Sequence, residues 1–188
     1  LTINASASAV SLQRTLTNNG TIAWVAGQLR FVNGTLDNNA TFTAQPDDSM
    51  ANFGGTNAFN NNASGTFTRN TGTGNFDVSV PFTNAGTLTV STGNFRIAGG
   101  GTSTGTISVP SSTLVFLSSY DVTAGTFTVG GTLVLSGGTV NMTPATYNVT
   151  GTVNLIGSTY NLNKASGASN WLHSGGTLAG SGAITVAS

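Results

Sequence analysis

The 188-residue chain contains no cysteine and no glutamate, and only 5% of its residues are charged. An average globular domain carries about 25% charged residues. Without cysteine there are no disulfides, no thiol nucleophile and no Cys-based metal site. With five aspartates and one histidine, acid–base chemistry has few groups to draw on. The formal net charge of +0 withholds the basic patch that nucleic-acid binding needs. No apolar run reaches the ~18 residues of a membrane-spanning helix, so no membrane insertion is expected. No signal peptide opens the chain. An alternating pattern runs into both ends, LTINASASAV and SGAITVAS, which fits one section of a longer array.

What is present is 38% hydrophobic residues, spread evenly among threonine, serine, asparagine and glycine. Disorder is excluded, because disordered chains pair low hydrophobicity with high net charge. The stretch GTFTVGGTLVLSGGTVNMTPATYNVTGTVNLIGSTYNL shows the organisation. Thr126, Thr132, Thr139, Thr146, Thr152 and Thr159 follow one another at intervals of 6, 7, 7, 6 and 7. Each threonine starts an apolar-x-apolar rhythm, the mark of a strand whose side chains alternate between faces. Each unit is one short strand plus a tight corner, and three units make about 20 residues. The reading is an all-β, right-handed parallel β-helix, a single solenoid over 1–188 with three short strands per ~20-residue coil and about nine coils. At about 4.8 Å per coil the stack is roughly 40 Å long.

Three inward columns are expected. The first runs Ile3, Ile22, Phe42, Phe67, Leu88, Ile107, Phe127, Tyr147 and Trp171. The second runs Val10, Leu29, a position near Met50 or Phe53, Phe76, Phe95, Leu114, Leu133, Val153 and Leu178. The third runs Leu16, Leu36, Phe59, Phe82, Thr102, Tyr120, Val140, Tyr160 and Ile184. The step from Phe42 to Phe67 is 25 residues and the step from Tyr147 to Trp171 is 24, so corner insertions are expected near 44–50 and 164–170. Insertions of this kind map to the surface of a solenoid. Corners such as LTNNGTI, LDNNATF, FNNNASGTF and FTNAGTL place Asn18, Asn38, Asn61 and Asn84 in register. Asparagine tolerates tight corners, and in register its amides can stack as a ladder. The sequon matches at Asn19 and Asn39 carry no information in a chain so rich in Asn and Thr.

Candidate chemistry is sparse. Asp77 and Asp121 are 44 residues apart, about two coils or roughly 10 Å, beyond the ~5–9.5 Å of a glycosidase carboxylate pair. Asp77 stands 19 residues before Arg96, directly beneath it in the expected register, which points to an ion pair between coils. His173 has no acid or nucleophile motif around it and reads as a loop or packing residue. No catalytic residue, metal ligand or cofactor is expected.

The outward positions flanking the first column form a Thr-x-Thr file. Its candidate binding residues are Thr66, Thr68, Thr87, Thr89, Thr106, Ser108, Thr126 and Thr128. Spacings of about 4.8 Å between coils and about 6.7 Å along a strand make a regular array of hydroxyls and methyls. Two readings stand: threonine as the best exposed β-former, or an ice-binding plane. Thr132, Thr139, Thr152 and Thr159 on the other faces favour the former.

The segment GTLTVSTGNFRIAGGGTSTGTISV, preceded by FTNA, resembles the Gly-Thr strand repeats of large secreted bacterial β-helix proteins. Autotransporter passengers and filamentous-haemagglutinin-like adhesins are among them. The resemblance covers most of the chain. It implies an extracellular or cell-surface location, and a structural, adhesive role rather than an enzymatic one. The implied partners are further coils of the same protein, end-to-end copies of itself, and glycans or other host and environmental surfaces. Alternatives are an ice-binding solenoid, a carbohydrate-binding or polysaccharide-degrading β-helix, and a self-assembling surface fibre.

Overall fold

A computed structural model describes residues 1–186 as strands and corners, without a helix. The last two positions of the solenoid expected over 1–188 lie outside the described residues. All strand pairings are parallel. Each strand pairs with strands about 18–28 residues away rather than with its chain neighbour: Tyr160 meets Leu178, and Met50 meets Val78. Parallel neighbours one coil apart are the signature of a β-solenoid.

The strands line three faces. Two of them share one fifteen-stranded sheet, and the third is a nine-stranded sheet, so the stack has nine coils among the described residues. The first face is built from residues 21–24, then Thr41–Ala44, Thr66–Arg69, Thr87–Val90, Thr106–Val109, Thr126–Val129 and Thr146–Val149. The second face carries Ser49–Asn52, Asn75–Val78, Asn94–Ile97, Thr113–Phe116, Thr132–Leu135, Thr152–Leu155 and Asn170–His173. The third runs from Thr15–Asn18 and Thr35–Asn38 up to Thr159–Leu162 and Thr177–Ala179. The first two faces are joined through the long strand Thr21–Phe31, which turns the corner without a break. Gly27 makes this bend at φ +80°, where a Cβ would stand 2.3 Å from the carbonyl oxygen of Ala5.

Alternation puts two side chains of most four-residue strands inside. The first column holds as expected from Ile22 through Phe42, Phe67, Leu88, Ile107 and Phe127 to Tyr147. Phenylalanine rings pack along and across the columns: Phe67 lies edge-on to Phe42 at 5.4 Å, and Phe76 stacks on Phe95 at 5.4 Å. Such pairs add about 0.5–1.5 kcal/mol each beyond the area they bury.

Several column positions differ from the expectation. Ile3 pairs with Trp24 rather than Ile22, because the first strand slips register on either side of Asn4. Met50, in register with Leu29 and Val78, is the inward residue of its strand. Phe53 is exposed at a corner, where the Arg30 guanidinium lies 4.5 Å from its ring centroid. Phe76 therefore heads a separate column, in the other inward slot of its strand. On the third face Gly101, and not Thr102, stands between Phe82 and Tyr120. Gly101 has φ +135°, and a Cβ there would stand 2.0 Å from the Phe82 carbonyl oxygen; with no side chain between them, the Phe82 and Tyr120 rings stack at 6.4 Å.

The last coil is displaced by one face. Trp171 pairs with Val153 on the second face, and Leu178 pairs with Tyr160 on the third. Ile184 pairs with Ser166 in a separate two-stranded sheet. The segment 164–170 is thus no corner insertion. It contains the strand Ser166–Ala168, whose inward residues are too small to mark it as one. The 25-residue step after Phe42 is likewise spread over the corners 45–48, 53–57 and 62–65 rather than gathered in one bulge.

The asparagine ladder forms. Asn18 donates to Asn38 at 2.6 Å, Asn38 to Asn61 at 2.7 Å, and Asn61 to Asn84 at 2.7 Å. Asn84 ends the run by donating to the Ser103 hydroxyl at 3.1 Å. Each amide spends its other N–H on the carbonyl of a first-face threonine: Thr41, Thr66, Thr87 and Thr106 in turn. The ladder fixes the corner between the third and first faces over five coils.

Candidate binding face

The sequence TΦT, repeated on the first face, buries the middle residue and leaves the two threonines outside. Thr66, Thr87, Thr106 and Thr126 pair in register along one file. Thr68, Thr89, Ser108 and Thr128 pair in register along the other. All eight are half-buried by their neighbours, and the files continue to Thr41 and Thr43 below and Thr146 above. Asn148 ends the second file.

The other faces do not repeat this pattern. On the second face the threonine file of Thr113, Thr132 and Thr152 runs beside Val115, Val134 and Asn154. On the third face Thr139 and Thr159 run beside Asn141 and Asn161. There the outward groups bind one another: Asn161 donates to Asn141, and Asn141 donates to Asp121, each at 2.6 Å. A double file of β-hydroxy residues over five consecutive coils is thus specific to the first face among the described residues.

The aspartates are tied into the scaffold. Arg96 lies above Asp77 in register and holds its carboxylate through two hydrogen bonds. Asp77 raises the Arg96 guanidinium above its usual range by this hydrogen bond, against the opposing effect of desolvation. Asp37 accepts from Asn60 at 2.8 Å, and Asp48 accepts from the backbone N–H of Ser49 at 2.8 Å. Asp77 stands on the second face and Asp121 on the third, so they do not form a pair. His173 is exposed on the strand Asn170–His173, with Nε2 3.4 Å from the Gly176 carbonyl. Among the described residues no three metal-ligating side chains cluster.

Two features carry no signal in the column pattern. Arg69 occupies an inward slot between Ala44 and Val90 and is fully buried. It becomes visible only on comparing TFTR with TLTV and TFTV at the same place in neighbouring coils. The second is the break in the first face above Tyr147. No ladder joins Thr146–Val149 to Ser166–Ala168, and a cleft of about 220 Å³ opens there. Burial raises the Tyr147 hydroxyl above its usual range, and that hydroxyl sits 2.6 Å from the Tyr160 hydroxyl.

Compared with known proteins, the chain matches no family model, no curated protein and no solved structure.

Proposed function

We propose that the chain is a structural and adhesive section of a bacterial surface or secreted protein, working outside the cell and without catalysis. The observation that carries this reading is the continuity of the stack. The faces hold register over as many as nine coils, and side-chain ladders tie coil to coil. Such a stack transmits shape over its whole length, roughly 40 Å at about 4.8 Å per coil. Threonine, serine and asparagine supply many of its exposed groups, hydroxyls and amides that suit contact with hydrated surfaces. The Gly-Thr repeats and their resemblance to secreted bacterial β-helices supply the location and the adhesive role. The test is antibody labelling of intact and permeabilised producing cells. Labelling of intact cells is expected; labelling confined to permeabilised cells overturns the extracellular reading.

The double threonine file favours a second reading, an ice-binding plane on the first face. A double file of hydroxyls, stacked in register coil on coil, offers a lattice that the mixed second and third faces lack. A thermal hysteresis assay decides it. Hysteresis lost on replacing Thr89 and Ser108 with lysine supports the plane, and its absence in the unmodified chain removes it.

A further inference from the structure

We infer that the cleft above Tyr147 is a binding site for one ring of a neutral saccharide. This rests on the adhesive reading and gives that reading a ligand. The first column carries Ile, Phe, Leu or Tyr from Ile22 to Tyr147, and then a serine, Ser166, follows on the next coil. The ring of Tyr147 stacks on Phe127, 13° from parallel at 5.6 Å, so one of its faces is covered. On its other side lies the next coil, where Gly167 and Ala168 line the cleft together with Tyr147 and the inward residue is the small Ser166. The hydroxyl contact with Tyr160 holds the ring in place. A fixed, half-covered aromatic face is the surface on which the C–H side of a pyranose stacks.

Polar groups surround that face. Thr146 N–H donates to Gly125 and Thr150 N–H donates to Val129, both on the coil below. Alternation then turns the backbone N–H and C=O groups of Tyr147 and Val149 toward the cleft, where no ladder partner meets them. Asn148, Thr150 and Ser169 add exposed side chains that donate and accept. Among the described residues no charged one lines the cleft, which disfavours uronates and phosphates as ligands. Its volume of about 220 Å³ lies below the ~300–1,000 Å³ of pockets for drug-sized molecules, which limits it to a single small ring.

The test is calorimetric titration of the intact 188-residue chain with glucose, galactose, mannose and N-acetylglucosamine, followed by neutral oligosaccharides of whichever binds. Saturable binding with a Kd of about 0.1–5 mM is expected for one of the four. Tyr147→Ala should weaken it at least about tenfold, a loss of about 1.4 kcal/mol. Asn148→Ala, at an exposed position that the fold does not need, should weaken it several-fold while leaving the unfolding midpoint unchanged. No saturation by any of the four sugars, or binding untouched by Asn148→Ala and by Tyr147→Ala in folded protein, overturns the site. Either result leaves cell-surface labelling free to succeed, so failure here is separate from failure of the adhesive reading.

Discussion

Arg69 and Asp47 meet across one coil boundary, with Nη2 of the arginine 2.5 Å from Oδ1 of the aspartate. The arginine is fully buried, while 43% of the aspartate side chain is exposed. Arg69 also donates to the Pro46 carbonyl at 2.7 Å, and its guanidinium lies 5.0 Å from the Phe76 ring centroid. The pair thus closes the QPDD corner over a cation that would otherwise lack a counter-charge.

The first prediction concerns that pair. Asp47→Asn should destabilise the chain by about 1–3 kcal/mol at neutral pH, the worth of a hydrogen bond to a charged group with some allowance for solvent screening of the exposed carboxylate. Desolvation pushes the Asp47 carboxyl up, but Arg69 and the N–H groups of Gly74 and Thr73 outweigh it and hold the carboxyl below its ordinary value of 3.8. A depressed folded-state pKa stabilises above the unfolded value and loses that contribution as pH falls through the folded one. The urea midpoints of the two proteins should therefore differ at pH 7 and converge in strong acid. An equal gap at both pH values would remove the ionic account.

A second prediction separates inside from outside. Leu133 is fully buried between Leu114 and Val153, whereas Thr132 faces outward beside it. Leu133→Ala should cost about 2–5 kcal/mol through lost transfer energy and the cavity left behind. Thr132→Ser should stay within about 0.5–1 kcal/mol. Denaturation midpoints that move equally would contradict the inward–outward assignment.

The third concerns the asparagine ladder. Asn61→Ala removes the acceptor for Asn38 and the donor to Asn84 and to the Thr87 carbonyl. Each buried polar group left unpaired costs about 1–3 kcal/mol, so the total should reach at least about 2 kcal/mol. Asn18→Ala, at the ladder's end, should cost less, because no asparagine below donates to it. Amide hydrogen exchange at Thr66 and Thr87 should rise more in the Asn61 variant than in the Asn18 variant.

A fourth concerns self-association. The first coil ends in an apolar cleft of about 240 Å³ lined by Leu1, Ile3, Val10, Leu12, Leu16 and Leu29. Val10 is 38% exposed there, although its partner Leu29 is buried. Unpaired strand edges beside apolar side chains are templates for further pairing. Sedimentation of this chain should show mass rising with concentration, and Val10→Lys should suppress the rise. A monomer at every concentration would count against both the end-to-end and the fibre readings.

Architecture is legible in the sequence for a local reason. A parallel coil repeats its environment every turn, so inward slots demand Phe, Leu, Ile or Val at a fixed interval. Ile22 to Tyr147 therefore align by counting alone, and so do the stacked Asn18, Asn38, Asn61 and Asn84. Asp77 and Arg96 pair by the same arithmetic, since one coil separates them.

Tertiary structure decided whatever the count could not mark. The strand Ser166–Ala168 has no large apolar residue, so its face vanishes from the pattern, and counting places Trp171, Leu178 and Ile184 each one face too early. Gly101 holds a slot that two neighbouring rings fill, which no residue-by-residue reading can show. Arg69 is tolerated in the core because Pro46 and Asp47 reach it from another coil, 22 residues back along the chain in the case of Asp47. The double threonine file of the first face, from Thr66 and Thr68 to Thr126 and Thr128, is legible by counting. Only the stacking of coils reveals that the other faces set valine, asparagine and charge beside a single file, because what a surface presents is set by neighbours that lie a full coil apart.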